Sequence, residues 1–531
     1  MADTPNPPAG KPPKTNDNAF FGHPRGLSSL FFTEMWERFS YYGMRAILVI
    51  FLKTAVDEGG FGWDKADAST LVGIYMSLVY LMSLPGGWIA DRFLGQRKAV
   101  LYGGTLITFG HVCLAMPGQP VFFAGLGFII MGTGLLKPNV SAMVGGLYSP
   151  EDARRNAGYA IYYMGINLGA TFAPTVIGTL AQNEGFRNLL VDIGLPAHAA
   201  WHFAFGAAAV CMFFGLVTFV MGWKRLGTVG MSPAVPDSPK DAARDRKILA
   251  AILAVVLGVP MALAVAHVAG AELDLQTIGD VLSLAMIAIA LVLFVVMYFV
   301  MARDLDERRR VIAMMVLFFG CVSFFAIFDQ AATTLTIFAD EHTNNSVFGI
   351  AFPSSWWQFV NPAFILLLSP FFGVLWIRMA KKGTEPAATT KFGIGMIFTA
   401  ISFLVMLPAI HEVLIGPILA ATKDHPAVFE RSSPLWLLLL YFFSTLGELL
   451  ISPVGLSSMS TLAPARMGGM VMGVWFLAIS IGDYIAGRAE SISTSLGPTN
   501  FFLYFALFAL AVAVILLALS RPITRLLGRK T

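Results

Sequence analysis

Apolar residues run along this chain in blocks long enough to cross a bilayer, separated by short polar or Gly/Pro-containing breaks. A spanning helix needs about 20 predominantly apolar residues. Blocks at about 28–52, 67–90, 97–115, 120–148, 155–180 and 200–223 predict six such helices. A polar, Pro-containing linker from Leu226 to Arg246 marks a boundary. Two further spans are predicted at about 247–268 and 278–302, and six more at about 309–338, 355–379, 390–409, 434–461, 466–490 and 499–520. The expected fold is an all-α polytopic membrane protein with 14 transmembrane helices. Its expected parts are a disordered cytoplasmic tail (1–25), a six-helix bundle (26–223), a cytoplasmic linker (224–246), an extra helix pair (247–308), a second six-helix bundle (309–520) and a cytoplasmic tail (521–531).

Composition agrees with this pattern. Of 531 residues, 56% are hydrophobic and 13% charged, against roughly 25% charged in a soluble domain. Too few charges remain to coat a soluble protein of this length, and most of the surface must face the lipid bilayer. The first 25 residues lack the apolar core of a secretory signal. Cys113, Cys211 and Cys321 lie far apart inside apolar stretches, which supports neither a disulfide framework nor a zinc site. They read as small packing residues.

Basic residues in short loops set membrane orientation. Of the 36 Lys and Arg, 27 fall on the side of the predicted map that holds both termini, and five (Lys53, Lys65, Arg187, Lys423 and Arg431) on the other. Arg38, Arg45, Lys137 and Arg488 sit within or at the ends of spans. Both termini are therefore expected to be cytoplasmic, and the even span count agrees.

A charge near the bilayer centre costs at least about 2.5 kcal/mol on insertion scales, so each needs a partner or an aqueous cavity. The first span reads Glu34-Met-Trp-Glu37-Arg38-Phe-Ser-Tyr41-Tyr-Gly-Met-Arg45. At helical spacing Glu34, Glu37, Arg38, Tyr41 and Arg45 share one stripe about 16 Å long. A self-neutralising Glu34–Arg38 ladder is the structural alternative. Lys137 lies in a Gly-rich stretch before Pro138, and Asp329 and Glu448 are single acids in the ninth and twelfth spans. Asn167 and Asn361 add hydrogen-bonding groups that serve equally well as helix–helix contacts. The intramembrane charges of the first bundle sum to +1 and those of the last to −2. A zwitterionic ligand would fit such a dipole in one orientation, and carboxylates opposite cations invite proton coupling.

Three separated motifs carry a family resemblance. Glu34-x-x-Glu-Arg-Phe-x-Tyr-Tyr42, Gly86-Gly-Trp-Ile-Ala-Asp-Arg-Phe-Leu-Gly95 and Tyr162-Tyr-Met-Gly-Ile-Asn-Leu-Gly169 resemble signatures of the proton-dependent oligopeptide transporters, a branch of the major facilitator superfamily. The resemblance runs from about Phe20 to the C-terminus, and the six, two, six helix order resembles prokaryotic members. It implies the major facilitator fold and symport of di- and tripeptides with protons by alternating access. No cofactor is expected beyond the proton as coupling ion. The implied partners are small peptides, protons and the bilayer, with no nucleic acid, for a functional monomer in the bacterial inner membrane.

Carried over residue by residue, the resemblance implies proton-coupling roles for Glu34, Glu37 and Arg38, with Lys137 as salt-bridge partner of the acids, and for Asp329, which stands where the family commonly has Glu and is expected to pair with Arg45. It implies that Arg45 and Lys137 hold the peptide carboxylate, helped by Tyr41 and Asn167. Tyr80 would face the peptide backbone, Asn361 and Glu448 its amino end, and Trp475 a side-chain pocket. Phe325 stands where many members have Trp. Asp91, Arg92 and Arg97 resemble a cytoplasmic gate motif, for which a positive-inside anchor is the alternative.

Other ionisable groups remain outside these roles. His111 reads as packing, and His198 and His202 have metal-like spacing without a third ligand. Asp483 and Arg488 are expected to form an internal pair. Competing readings are a transporter of the same fold for nitrate or a glucoside, a membrane-embedded enzyme and a channel. The Glu34-to-Arg38 run with Asp329 and Glu448 disfavours the first. The enzyme lacks a nucleophile–base pair or a metal cluster, and a channel would not concentrate peptide.

Overall fold

The structure, a computed structural model, describes residues 17–527 apart from 150, 153, 234, 235, 237, 272, 273, 415, 416, 420–427, 430, 465 and 466. Most of the expected 1–25 tail, Lys423 and the last four residues lie outside these. Among the described residues, fourteen long helices follow the predicted order. They are α1 (Arg25–Lys53), α2 (Lys65–Leu94), α3 (Gln96–Leu114), α4 (Gln119–Gly146), α5 (Arg155–Gln182), α6 (Ala199–Met221), α7 (Pro239–Val268) and α8 (Leu275–Met301). The rest are α9 (Leu305–His342), α10 (Ser354–Lys381), α11 (Ala388–Val413), α12 (Pro434–Leu462), α13 (Gly468–Leu496) and α14 (Pro498–Leu526).

Twelve of these are long and apolar enough to cross a membrane. The other two are α1, whose 29 residues carry the charged stripe, and α3, whose 19 residues open with Arg97 and Lys98. At about 1.5 Å per residue even α3 spans about 28 Å. The chain is thus an all-α polytopic membrane protein.

Local chemistry explains where the elements depart from hydropathy. Helix α7 starts at Pro239, inside the stretch read as linker, because Ser238 caps it: its Oγ accepts from the Asp241 N–H at 3.2 Å and donates to the Asp241 carboxylate at 2.7 Å. A short helix, Glu184–Asp192, fills the α5–α6 connection, capped by the Asn183 side chain. Helix α9 changes to a tighter 3₁₀ turn over Asp329–Ala332 before resuming at Thr334. Strands β1 (Ser346–Val347) and β2 (Ile350–Ala351) form a hairpin whose turn residues Phe348 and Gly349 both have positive φ, 52° and 79°, as a type I′ turn requires.

The chain divides into two compact units. Unit 1 comprises residues 1–42, 81–173 and 202–273, and unit 2 comprises 43–80, 174–201 and 274–531. The boundaries cut α1, α2 and α5 part-way along their lengths. In unit 1, α2 and α4 meet at Gly86 and Gly134, where a Cβ added to Gly86 would lie 2.0 Å from the Gly134 carbonyl oxygen. In lipid, close backbone contact of this kind replaces the hydrophobic effect in holding helices together. Unit 1 also holds residues 17–23: His23 Nδ1 lies 2.9 Å from the Tyr148 hydroxyl, and Arg154 donates to Asn18 and to the Gly22 carbonyl. Unit 2 has a continuous aromatic-rich core that includes Phe324, Phe392, Phe403, Trp475, Phe501 and Phe502.

Helix α7 leaves Val255, Leu257, Val259 and Met261 exposed, an apolar surface suited to lipid. Helix α8 is docked at one end by Asp280, which pairs with Arg488 at 3.5 Å and accepts a hydrogen bond from Tyr484. Arg488 therefore turns to α8, and not to Asp483 as expected from sequence. Five helical residues place Asp483 about 140° around α13 from Arg488, outside easy reach.

Candidate functional site

In unit 1 the charged stripe of α1 is buried. Glu34, Glu37 and Arg38 are all 2% exposed or less, so each charge must be met by protein groups. Arg38 meets both acids. Its Nη2 donates to Glu37 Oε1 at 2.7 Å, its Nε donates to Glu37 Oε2, and Nε lies 3.3 Å from Glu34 Oε1. The guanidinium stands 5.1 Å from the Tyr41 ring centroid, a cation–π contact that holds its plane. Half-buried Lys137 on α4 and buried Tyr162 on α5 lie within electrostatic range of Glu34. Asn167 is buried on α5 and donates to the Tyr163 carbonyl of its own helix at 3.0 Å.

Unit 2 holds a second constellation, in which Arg45 and Asp329 are buried and Asn361 and Glu448 half-buried. Arg45, on the continuation of α1, donates from Nη2 to Asp329 Oδ1 at 3.2 Å, with the two residues 8% and 5% exposed. Asp329 is presented at the point where α9 tightens into its 3₁₀ turn. Asn361 of α10 donates both to Glu448 Oε2 at 2.9 Å and to Thr445 Oγ1 at 3.0 Å. Glu448 lies within electrostatic range of Arg45 and Asp329. Trp475 and Phe325 are buried in the core, and Tyr80 packs against Phe476 with ring centroids 6.4 Å apart. Sequence reasoning missed Thr445, although it sits at i−3 from Glu448 on the same helical face. It also missed Tyr441, buried in reach of the Arg45 field.

At the far end of α1, unit 2 carries an ion-pair node. Lys53 Nζ lies 2.6 Å from Asp340 Oδ2 and 3.1 Å from Glu341 Oε1, and Lys65 pairs with Glu341. Asp340 also accepts from Ser354 Oγ at 2.6 Å, and Gln182 Nε2 donates to the same hydroxyl at 2.9 Å. The node gathers the ends of α1, α2, α5, α9 and α10. In sequence these residues read as ordinary loop and end charges.

The expected gate residues sit in unit 1. Asp91 is exposed, and Arg92 lies 3.7 Å from Asp245 of α7. Arg97 is buried and held by backbone: it donates to the carbonyls of Val229 (2.6 Å), Gly227 and Trp223, and its guanidinium lies 5.6 Å from the Trp223 ring centroid. Among the described residues no group of three or more His, Cys, Asp or Glu could hold a metal ion.

Comparison with known proteins identifies the arrangement. The sequence profile of the POT family matches residues 97–498. The chain belongs to the POT family. This POT-family chain is 37% identical over 521 residues to a di-/tripeptide transporter of Lactococcus lactis subsp. cremoris, covering 96% of its own length and 98% of the relative. It is 40% identical over 509 residues to the uncharacterized transporter YclF of Bacillus subtilis, covering 95% of each. A crystal structure of a peptide transporter of the family in complex with sulfate matches with a TM-score of 0.84 at 41% identity, covering 96% of this chain and 97% of that one. The POT fold and transporter class expected from the three sequence motifs are thus those of its relatives, and the enzyme reading falls away.

Proposed function

We propose that this transporter carries di- and tripeptides into the cell together with protons by alternating access. The observation that carries the reading is the presence inside unit 2 of a buried cation, Arg45, and a half-buried acid, Glu448, each held by a partner it can release. A peptide presents a carboxylate at one end and an ammonium at the other. Arg45 is matched to the first, and Glu448 with Asn361 to the second. A proton arriving at Asp329 neutralises the acid that holds Arg45 and leaves the guanidinium to the peptide carboxylate. Glu34 and Glu37, both on Arg38, supply a second buried place for a proton, with Lys137 as the neighbouring cation. The opposite charges favour a zwitterion over nitrate or a glucoside, which carry at most one of them.

In this reading both termini face the cytoplasm of a bacterial inner membrane, as the segregation of 27 of 36 basic residues supports. The Lys53–Asp340 node then faces outward, where it latches the outer ends of five helices in unit 2. The working form is a monomer, and the proton is the coupling ion with no further cofactor. The test is uptake of labelled dialanine into liposomes under an inward proton gradient, with di- and tripeptides compared and a protonophore as control. Accumulation that a protonophore abolishes is the expected result. Equal uptake without a gradient would refute coupling, and competition by nitrate in preference to trialanine would refute the substrate class.

A further inference from the structure

A cavity of about 880 Å³ opens between the ends of α9, α10, α11, α12 and α14 in unit 2, apart from the peptide-binding groups above. Its lining includes Leu317, Trp376, Lys391, Ser457, Thr461 and Arg521. Lys391 is 5% exposed, with Nζ 4.1 Å from the Trp376 ring centroid, and donates to Glu385. The Glu385 side chain, 41% exposed, stands at the rim. A buried ammonium over an indole, closed by one solvent-facing carboxylate, is an incompletely enclosed cation.

Unit 1 contains the same arrangement, filled. Helices α3 and α11 are each third in a set of six, and α6 and α14 each sixth. Gly104 of α3 packs on Leu216 and Met212 of α6, as Gly393 of α11 packs on Leu517 and Ala513 of α14. At the start of α3, Arg97 is a buried cation over an indole, and the chain leaving α6 wraps it with the carbonyl oxygens of Trp223, Gly227 and Val229. At the start of α11, Lys391 lines the cavity, and among the described residues its ammonium donates to Glu385 and to no main-chain carbonyl.

We propose that this cavity binds a phosphate group, which supplies to Lys391 the oxygen acceptors that Arg97 takes from its own backbone. Arg521 adds a second cation, Ser457 offers a hydroxyl donor, and Leu317 gives an apolar wall, while the Thr461 hydroxyl already donates to the Ser457 carbonyl. The volume suits a ligand larger than a bare ion. A phospholipid headgroup and a free phosphate share this chemistry. Glu385 competes with the ligand for the Lys391 ammonium, so removing its charge strengthens binding.

The test uses the full-length protein in detergent, with Lys391→Met and Glu385→Gln, measured by native mass spectrometry against phosphatidylglycerol and phosphatidylcholine. Thermal shift with inorganic phosphate alone forms the other arm. Retention of phosphatidylglycerol over phosphatidylcholine, weakened about tenfold by Lys391→Met as expected for one lost charge-assisted contact and strengthened by Glu385→Gln, supports a lipid source. The same dependence on these residues with phosphate alone supports a free one. If Glu385→Gln leaves both arms unchanged, the proposal is overturned, and that variant decides the matter even should Lys391→Met fail to fold.

Discussion

Asp329→Asn removes a charge while keeping the shape of the side chain. In the native protein Arg45 Nη2 lies 3.2 Å from Asp329 Oδ1. At an effective dielectric of about 20 the Coulomb energy of such a pair is about 5 kcal/mol. Both residues are more than nine-tenths buried, so desolvation cancels much of that gain, and removing one partner of such a pair costs about 3–5 kcal/mol because the other charge is stranded. Taking about 3 kcal/mol, the balance between paired and released Arg45 shifts by about 100-fold. Protonation of Asp329 makes that shift reversible in the native protein, whereas the Asn variant makes it permanent. Dialanine accumulation driven by a pH gradient should therefore fall by about 100-fold, toward the level seen with protonophore. Dialanine counterflow, which needs no net proton movement, should fall only several-fold. Asp329→Glu restores the acid with one added methylene and should accumulate peptide. Gradient-driven accumulation by Asp329→Asn at the native rate would refute the assignment, as would equal loss of counterflow, which would make the pair purely structural.

Three further outcomes follow from the geometry. Glu448→Gln should weaken binding of dialanine about tenfold, the scale of one charge-assisted hydrogen bond, and leave N-acetylated analogues unchanged in competition assays; equal losses would remove Glu448 from the amino-end site. Burial and the neighbouring Arg154 hold the His23 imidazole below its ordinary pKa of 6.5, so protonation favours the undocked segment, and the stability it lends is present above 6.5 and lost as pH falls toward the lowered value. The protection of amides over residues 17–23, taken relative to their intrinsic exchange rates at each pH, should fall on acidification below 6.5, and a native-like pH profile of protection in His23→Gln would contradict this. Gly86→Val should force α2 from α4 at a cost of about 3 kcal/mol and cut the monodisperse yield on size exclusion, whereas Gly127→Val, where an added Cβ meets nothing within 4 Å, should not.

The sequence made the α1 stripe legible because charges inside an apolar run have no other explanation, and the fourteen helices were legible because lipid demands long apolar blocks. Contacts made by ordinary-looking residues were hidden. Lys53 and Asp340 are 287 positions apart, and each alone is a charge near a helix end. Arg488 invited pairing with Asp483 because the two are close in sequence, but helical geometry turns them apart and sends Arg488 to Asp280 on α8. The Arg97 cage was invisible for a deeper reason: its acceptors are main-chain carbonyls, which every residue carries.

That cage has a consequence for how the chain tolerates change. Because Arg97 is satisfied by carbonyls of Trp223, Gly227 and Val229, most side chains in the wrap can be exchanged without loss of an acceptor. Its path cannot. Adding or deleting one residue between Trp223 and Val229 would move every later oxygen out of register with a fixed guanidinium. The segment that composition marks as a permissive linker is therefore free in identity and constrained in length, a ruler set against one arginine.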